Sequence, residues 1–407
     1  MDYFSPGTIY VLAYSFLLAI NSLGLSRLQH PWALTTRYLF WGASFLFVFA
    51  TLITKLAVNI RWPSFHIDFS DLRSSLRQDA SIMDWDWFRK CFLFCCAVYG
   101  ISFASACIKT GGIPILMNAP DQARIVFYSS NIFINIGLFF GPLSLILGVE
   151  LLYFGVSSKI QKWLTALLVC VAFLSYLTIA MRLDLFRFLF FALILYHYGS
   201  KPLNIKRIAL ATLVGMAIFV GIFLMRVHGD AVQSLNEIVQ VKMPKKYFWF
   251  SQIYAYVVSN FWNMDYAFSR YVENQGFHPM SWGFDLFRAV FFLLHLEGPV
   301  QTAYGFDGIF NESINMVHGL NSTVYVWHFY KDFGVTGVFL LSFGFGLSAA
   351  IFDFNTMRRP TLFRISLWGL FAGIILFSAT AALWSFWLMY LNIFFIALAH
   401  RKIHFLT

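Results

Sequence analysis

Stretches of about 20 consecutive apolar residues recur along this 407-residue chain. About 20 residues are what an α-helix needs to cross the hydrocarbon of a bilayer. The chain is 59% hydrophobic and only 12% charged, whereas a soluble domain has about 25% charged residues. Such a chain has too little polar surface to stay in water. The sequence therefore predicts an all-α polytopic membrane protein.

We predict about 10–12 transmembrane helices, the larger number applying if two further apolar stretches also cross. The predicted spans are 7–26, 36–54, 91–108, 129–156, 163–181, 183–199, 207–225, 334–352, 364–382 and 384–400. The loops SSKIQK, SKPLNIKR and FNTMRRPTLFR and the tail HRKIHFLT are basic, which favours the cytoplasmic side. This orientation puts both termini in the cytoplasm, and the first loop, with Arg27 and Arg37, is its one misfit.

The orientation divides the chain into three regions. We predict an N-terminal bundle of about seven spans over 1–225, a large outside loop over 226–333, and C-terminal transmembrane helices over 334–407. Within the loop, 247–262 and 289–296 are strongly apolar. They predict re-entrant or interfacial helices, or a further pair of spans. On the inside, DLRSSLRQDASIMDWDWFRK predicts a helix at the membrane surface.

The formal net charge of +10 does not indicate a nucleic-acid partner. The basic residues are scattered singly between apolar spans, without a stripe or an RNA-binding motif. Lys and Arg near cytoplasmic span ends account for the excess. Asp84-Trp85-Asp86 matches a metal-binding DxD tripeptide, but it stands alone in an inside loop. We expect no metal and no cofactor.

Charged residues at the rim of the membrane are the first candidates for a site, because charge there is costly. Arg182 stands in a tight turn between two predicted spans, where Asp184 and Arg187 are spaced to pair with each other. Arg226 closes a span on the same side, with His228 two residues on. An arginine fork fits phosphate oxygens, so several outside arginines suit a lipid diphosphate. The alternative is that Arg182 snorkels to lipid headgroups.

The stretch GLNSTVYVWHFYKDFGVTG (319–337) gathers polar side chains just before a long apolar run. They are Asn321, Thr323, His328, Lys331 and Asp332. A lipid-linked sugar has an apolar tail and a polar head, so a site for it lies where membrane meets water. The alternative is that Lys331 and Asp332 only mark the interfacial start of a helix, where Asp is favoured. The pair Gly334 and Gly337 predicts close approach of helices.

Together these features resemble the bacterial oligosaccharide repeat-unit polymerases, the Wzy-type O-antigen polymerases. An early outside loop carries GGIPIL (111–116). A mid-chain outside arginine, Arg182, is followed by a large outside loop after the next pair of spans. Asn321 and Thr323 then form Asn-x-Thr before DFGVTG (332–337), which leads into a Gly-rich span.

The resemblance implies a metal-independent glycosyltransferase of the bacterial inner membrane, with a GT-C-like helical bundle. Its partners would be a glycan donor and an acceptor repeat unit, both linked to undecaprenyl diphosphate, together with membrane lipid and a regulator of chain length. The acceptor's sugar hydroxyl attacks the donor's anomeric carbon at the periplasmic face, and undecaprenyl diphosphate leaves. The product would be O-antigen or a similar surface polysaccharide.

Such a reaction needs cations for the leaving diphosphate and a base for the hydroxyl proton. We assign catalysis to His318, Arg182 and Asp332. The candidate bases are His228, His278, His318 and Asp332, and His318 is preferred because it lies beside Gly319 and ahead of Asn321. We assign substrate binding to Arg226, His228, Arg270, His278, Asn321, Thr323 and Arg124.

Two other functions fit the same sequence. An O-antigen ligase uses a similar donor but transfers the glycan to the lipid A core. A polysaccharide transporter or flippase would carry buried charge at mid-span and broken helices. Most charges here lie at span ends or in one outside loop, which favours an enzyme with an outside site.

Overall fold

The structure, a computed structural model, consists of helices and the segments that connect them in the residues that it describes. Those residues are 2–61, 68–118, 122–123, 126–127, 132–155, 158–179, 182–226, 240, 242, 248–274, 281–294, 296, 298–300, 323–379 and 387–401. The helices are α1 (Pro6–Ser22), α2 (Leu34–Arg61), α3 (Phe69–Ser81), α4 (Trp85–Thr110), α5 (Ile132–Leu138), α6 (Phe140–Glu150), α7 (Lys159–Ile179), α8 (Arg182–Gly199), α9 (Ile205–Arg226), α10 (Phe248–Ala267), α11 (Phe284–Leu293), α12 (Tyr325–Arg358), α13 (Leu362–Phe377) and α14 (Trp387–Ala399). Two π-helical turns, Leu151–Gly155 and Phe268–Asn274, directly follow α6 and α10.

Several of these helices are suited to a membrane. Those long and apolar enough to cross a bilayer are Leu34–Arg61, Trp85–Leu116, Phe133–Gly155, Lys159–Thr178 and Tyr325–Arg358. Shorter apolar helices are Pro6–Ser22, Leu185–Gly199, Leu362–Phe377 and Met389–Ala399. Each of these coincides with a predicted span, so the prediction of an all-α membrane protein is confirmed. The number of crossings and their direction stay predictions.

Local capping residues set several helix ends. Asp84 is the N-cap of α4, where its carboxylate accepts a hydrogen bond from the Trp87 amide at 2.9 Å and pairs with Arg401 at 3.0 Å. The Trp87 hydrogen bond and the Arg401 charge hold the pKa of Asp84 below its ordinary value. At the other end, Gly111 takes the left-handed conformation (φ 84°) and Gly112 donates to the Cys107 carbonyl at 2.9 Å. The DxD tripeptide and GGIPIL thus begin and end one helix.

The chain divides into two compact units, each assembled from segments that are distant in sequence. The first unit contains Met1–His66, Gly229–Asn355 and Phe371–Tyr390. The second unit contains Ile67–His228, Thr356–Leu370 and Leu391–Thr407. Packing therefore groups the chain differently from the predicted regions 1–225, 226–333 and 334–407, which describe sides of a membrane and stay predictions.

Aromatic and hydroxyl contacts hold the first unit together around α1. The rings of Tyr10 and Tyr14 stack with centroids 4.2 Å apart. The Tyr10 hydroxyl lies 3.2 Å from that of Tyr325 at the start of α12, and the Tyr14 hydroxyl lies 3.0 Å from Ser378 Oγ. An apolar cluster joins α1 to α10 through Ile20, Tyr254, Ala255, Val258 and Trp262. These contacts fix the N-terminal half of α12, which carries the polar stretch.

The second unit packs α6 among α4, α7 and α8. At its centre Glu150, the last residue of α6, is completely buried. Its carboxylate accepts a hydrogen bond from the Ser366 hydroxyl and lies 2.9 Å from His400 Nε2. A buried carboxylate is costly unless it is paired, so this contact ties the ends of α6 and α14 to α13.

The first part of the predicted surface helix, DLRSSLRQDAS, lies in α3, whereas its end, WDWFRK, begins α4. Asp68 caps the N-terminus of α3 by accepting from the Ser70 amide at 2.7 Å. The apolar positions Leu72 and Leu76 are buried, and α3 packs against α8 within the second unit. Its position relative to a membrane stays a prediction.

Candidate functional site

The polar stretch before the predicted span 334–352 lies on a helix that breaks in the middle of DFGVTG. In α12, Phe333 (φ −142°, ψ 18°) and Gly334 (φ 63°, ψ −154°) leave the helical conformation. The conformation of Gly334 is nearly restricted to glycine, because a Cβ would clash with the backbone. Next to the break, the carbonyls of Lys331 and Asp332 accept hydrogen bonds from the amides of Ser281 and Trp282, at 2.9 and 3.0 Å. The glycine therefore makes a kink that joins α12 to the start of α11.

Asp332 completes this junction with its side chain. Its Oδ1 accepts from the Asp285 amide at 2.9 Å and from the Ser281 hydroxyl, and its Oδ2 accepts from the Leu286 amide at 2.8 Å. The first amides of a helix have no partner within the helix, and a negative charge there is favourable. Asp332, which is 1% exposed, is thus the cap of α11. This geometry gives it a structural role, and its assignment to catalysis stays a prediction.

The capped end of α11 carries a second carboxylate, Asp285, which is paired with α12. Its Oδ2 forms an ion pair with Lys331 Nζ and lies 2.9 Å from His328 Nδ1. His328, Lys331 and Asp332 share one face of α12 because they are three and four residues apart. Burial alone raises the pKa of Asp285, but the Lys331 charge and the His328 hydrogen bond outweigh it, so the pKa lies well below its ordinary value. Asp285 is therefore a stable anion between two basic side chains.

His328 is the accessible member of this cluster. Its side chain is 22% exposed, whereas those of Asp285 and Lys331 are 5% and 8% exposed. With Nδ1 donating to Asp285, the neutral ring presents Nε2 as an acceptor. In the described part of the chain, Nε2 has no hydrogen-bond partner. A carboxylate that orients an imidazole with one free nitrogen is the arrangement of a general base.

The first unit contains a second contact between a carboxylate and an imidazole, in which both ring nitrogens face protein oxygens. His30 Nε2 lies 3.0 Å from Asp265 Oδ2, while Asp265 Oδ1 accepts from the Ala33 amide at 2.8 Å. The other ring nitrogen of His30 lies 3.1 Å from the Leu28 carbonyl. Only Nδ1 of His30 makes a hydrogen bond, whereas Nε2 lies at ion-pair distance from a carboxylate oxygen that has no hydrogen-bond partner among the described residues. Together with the Ala33 amide, this contact holds the connection between α1 and α2 against Asp265.

The structure describes some of the predicted site residues. In the first unit, Thr323 Oγ1 is buried without a hydrogen-bond partner among the described residues, and Arg270 is exposed and donates to the Tyr266 hydroxyl. Arg182 begins α8 and Arg226 ends α9 in the second unit, where only their backbone is described. The remaining predicted residues lie outside the described residues: Arg124, His228, His278, His318 and Asn321.

The sequence reasoning did not assign the cluster of Asp285, His328 and Lys331. The spacing of His328, Lys331 and Asp332 places all three on one helix face, and this signal was sufficient to group them. Asp285 is 43 residues from His328 in sequence, so no local pattern links the two. Of the predicted catalytic residues, Asp332 alone has a described side chain, and it borders this cluster.

Comparison with known proteins found no matching family model, no matching curated protein and no matching solved structure. The composition and the fold therefore define the class of this protein by themselves. It is an all-α protein with several helices suited to cross a membrane. The resemblance to repeat-unit polymerases rests on the sequence motifs alone: GGIPIL, Arg182, Asn321, Thr323 and DFGVTG.

Proposed function

We propose that this protein is a membrane glycosyltransferase that polymerises lipid-linked oligosaccharide repeat units at the outer face of the bacterial inner membrane. The observation that carries the proposal is the pair of Asp285 and His328. The carboxylate orients an imidazole that is 22% exposed and whose Nε2 has no hydrogen-bond partner among the described residues. Glycosyl transfer to a sugar hydroxyl uses such a base. The pair lies at the N-terminal half of a membrane-type helix, where an apolar carrier and a polar sugar can be bound together.

In the proposed reaction, His328 Nε2 takes the proton of the acceptor's sugar hydroxyl. The hydroxyl oxygen forms a bond to the anomeric carbon of the donor glycan as the bond from that carbon to the diphosphate oxygen breaks. Undecaprenyl diphosphate leaves with the electron pair. Asp285 keeps the ring in the required tautomer, and Lys331 balances the carboxylate charge. This places the base at His328 rather than at His318, which lies outside the described residues.

The leaving diphosphate also needs a cation. Arg270 supports this role, because it is exposed and lies on the π-helical turn after α10. Phe268 of the same turn packs edge-on against Trp327 and Tyr330, with centroids 5.3 and 5.1 Å apart. The turn therefore lies alongside the part of α12 that carries His328. The roles of Arg182 and Arg226 stay predictions from the sequence.

The proposal is tested by complementing a deletion strain with His328→Gln. We expect surface polysaccharide to collapse to single-repeat material on a gel, because loss of a general base lowers the rate about 10²–10⁴-fold. His30→Gln is the matched control, since its imidazole also lies beside a buried carboxylate but both of its ring nitrogens face protein oxygens, at 3.0 and 3.1 Å. Membrane levels of both variants are measured by immunoblot.

Full-length chains from His328→Gln at a normal membrane level would exclude His328 as the base. The deletion strain separates the polymerase from the ligase. A missing polymerase leaves single repeats attached to the lipid A core, whereas a missing ligase leaves no attached glycan.

A further inference from the structure

The second unit contains a cavity of about 490 Å³ that no step of the proposed reaction uses. It lies between α3, the start of α4, the π-helical turn Leu151–Gly155 and the end of α8. The lining residues are Arg77, Ala80, Ser81, Trp85, Tyr153, Phe154, Gly199 and Ser200. One arginine, two serines and three aromatic rings therefore face the same space.

Two glycines shape the walls of the cavity. A Cβ on Gly155 would lie 2.3 Å from Trp85 Cε3, and a Cβ on Gly199 would lie 2.5 Å from Phe154 Cζ. Each ring can take its place only because the facing residue has no side chain. The Trp85 indole is also held by a hydrogen bond from Nε1 to the Ala80 carbonyl at 2.8 Å. The π-helical turn that positions Tyr153 and Phe154 is a conformation found often at functional sites.

Among the described residues, the charge that lines the cavity is positive and has no balancing carboxylate. Arg77 is exposed and has no hydrogen-bond or ion-pair partner among the described residues. Arg73, one turn earlier on α3, instead donates to the Ser200 carbonyl at 3.2 Å. Lys201, next to the cavity, is exposed and adds a further cation. None of the described lining residues carries a carboxylate.

The neighbouring acids are engaged elsewhere. Asp79 accepts from the Leu362 amide at 2.8 Å, Asp84 pairs with Arg401, and Asp86 pairs with Arg89 at 2.9 Å. Asp79, Asp84 and Asp86 therefore each have a partner other than Arg77, and an anion entering the cavity meets a guanidinium that has no ion-pair partner among the described residues.

We propose that this cavity binds a phosphate group, with the headgroup of an anionic lipid as its source. A guanidinium fork fits two phosphate oxygens, and the Ser200 hydroxyl can donate to a third, whereas the Ser81 hydroxyl donates to the Gln78 carbonyl at 2.7 Å. Tryptophan and tyrosine rings beside the charge are typical of the depth at which lipid headgroups lie. Free inorganic phosphate has the same chemistry and is the alternative source. In the orientation predicted from the basic loops, the cavity opens on the cytoplasmic side.

The test uses the full-length protein, delipidated in detergent and titrated with phosphatidylglycerol under native mass spectrometry. Arg77→Gln removes the charged fork and is expected to weaken lipid binding about tenfold. Arg207→Gln is the matched control, because Arg207 is an exposed arginine at the start of α9 that does not line the cavity. We expect it to change lipid binding by less than about twofold. Binding of inorganic phosphate to the same proteins is measured by calorimetry.

The outcomes distinguish a lipid headgroup from free phosphate as the ligand, and they also show whether the cavity binds phosphate at all. Phosphatidylglycerol binding that depends on Arg77 assigns the site to a lipid headgroup. Phosphate binding that depends on Arg77, without a lipid effect, assigns it to free phosphate. Equal affinities of Arg77→Gln and Arg207→Gln for both probes overturn the proposal. Arg77→Lys, which keeps the charge but not the fork, separates the charge from the bidentate geometry if Arg77→Gln proves unstable.

Discussion

Replacing Gly334 by alanine tests whether the kink in α12 holds the candidate site together. At Gly334 the backbone has φ 63° and ψ −154°, a conformation that costs a residue with a Cβ on the order of 1–3 kcal/mol. The chain can avoid this strain only by straightening. It then moves the carbonyls of Lys331 and Asp332 away from the amides of Ser281 and Trp282.

Keeping the strained backbone and straightening the helix cost a similar free energy. Loss of two backbone hydrogen bonds, each contributing about 0.5–1.5 kcal/mol, amounts to about 1–3 kcal/mol. Because the protein adopts the cheaper response, we expect Gly334→Ala to lower the free energy of unfolding by about 1–3 kcal/mol. Straightening also displaces His328 relative to Asp285, so we expect shorter polysaccharide chains as well.

The assay is unfolding of the purified protein in mixed micelles of dodecyl maltoside and increasing SDS, followed by circular dichroism. Gly344→Ala is the control, because Gly344 lies in the same helix and a Cβ there would have no atom within 4 Å. Alanine favours a helix over glycine by up to about 1 kcal/mol, so this variant should be neutral or slightly more stable. Equal midpoints for Gly334→Ala and Gly344→Ala would refute the view that the kink requires glycine.

Two further predictions concern the buried ionised and polar pairs. Because the pKa of Asp285 lies below its unfolded value of 3.8, its ionised form stabilises the protein above that pH, and the stabilisation is lost as the pH falls through the folded pKa. The stability gap between wild type and Asp285→Asn should therefore narrow as the pH falls below about pH 4; a gap that stays constant below that pH would contradict this linkage. Glu150→Ala should cost about 3–5 kcal/mol, since it strands His400 in the interior of the second unit. The double variant with His400→Ala should cost clearly less than the sum of the two single variants, whereas additive costs in the unfolding assay would show that the pair is not coupled.

Much of the fold could be predicted from short-range patterns. The length of an apolar run determines whether a helix can cross a membrane, and every described long apolar helix falls on a predicted span. Residues such as Asp68, Asp84 and Gly111 mark helix ends through contacts within a few positions. The kink at Gly334 was not predicted, and the close helix approach expected from Gly334 and Gly337 stays a prediction.

The candidate site depends on contacts between residues that are far apart in sequence, which short-range patterns do not contain. The sequence grouped His328, Lys331 and Asp332 in one polar stretch, but it did not indicate their partners. Asp332 caps a helix whose first residues are 46 and 47 positions away, and Asp285 meets His328 across 43 positions. His318 was chosen as the base from its sequence neighbours alone. The sequence could not show that a different histidine, His328, is oriented by a carboxylate.

The sequence by itself determined that this chain is helical and suited to a membrane, because hydropathy and capping depend on residues near one another along the chain. Only the tertiary structure decided which charged side chains meet. It brings α11 onto the kink of α12, and it leaves Arg77 beside an open cavity while the acids around it are engaged elsewhere. Such pairings depend on how distant segments pack, and the energy of a charge in or near a membrane depends on its partner more than on its sequence neighbours.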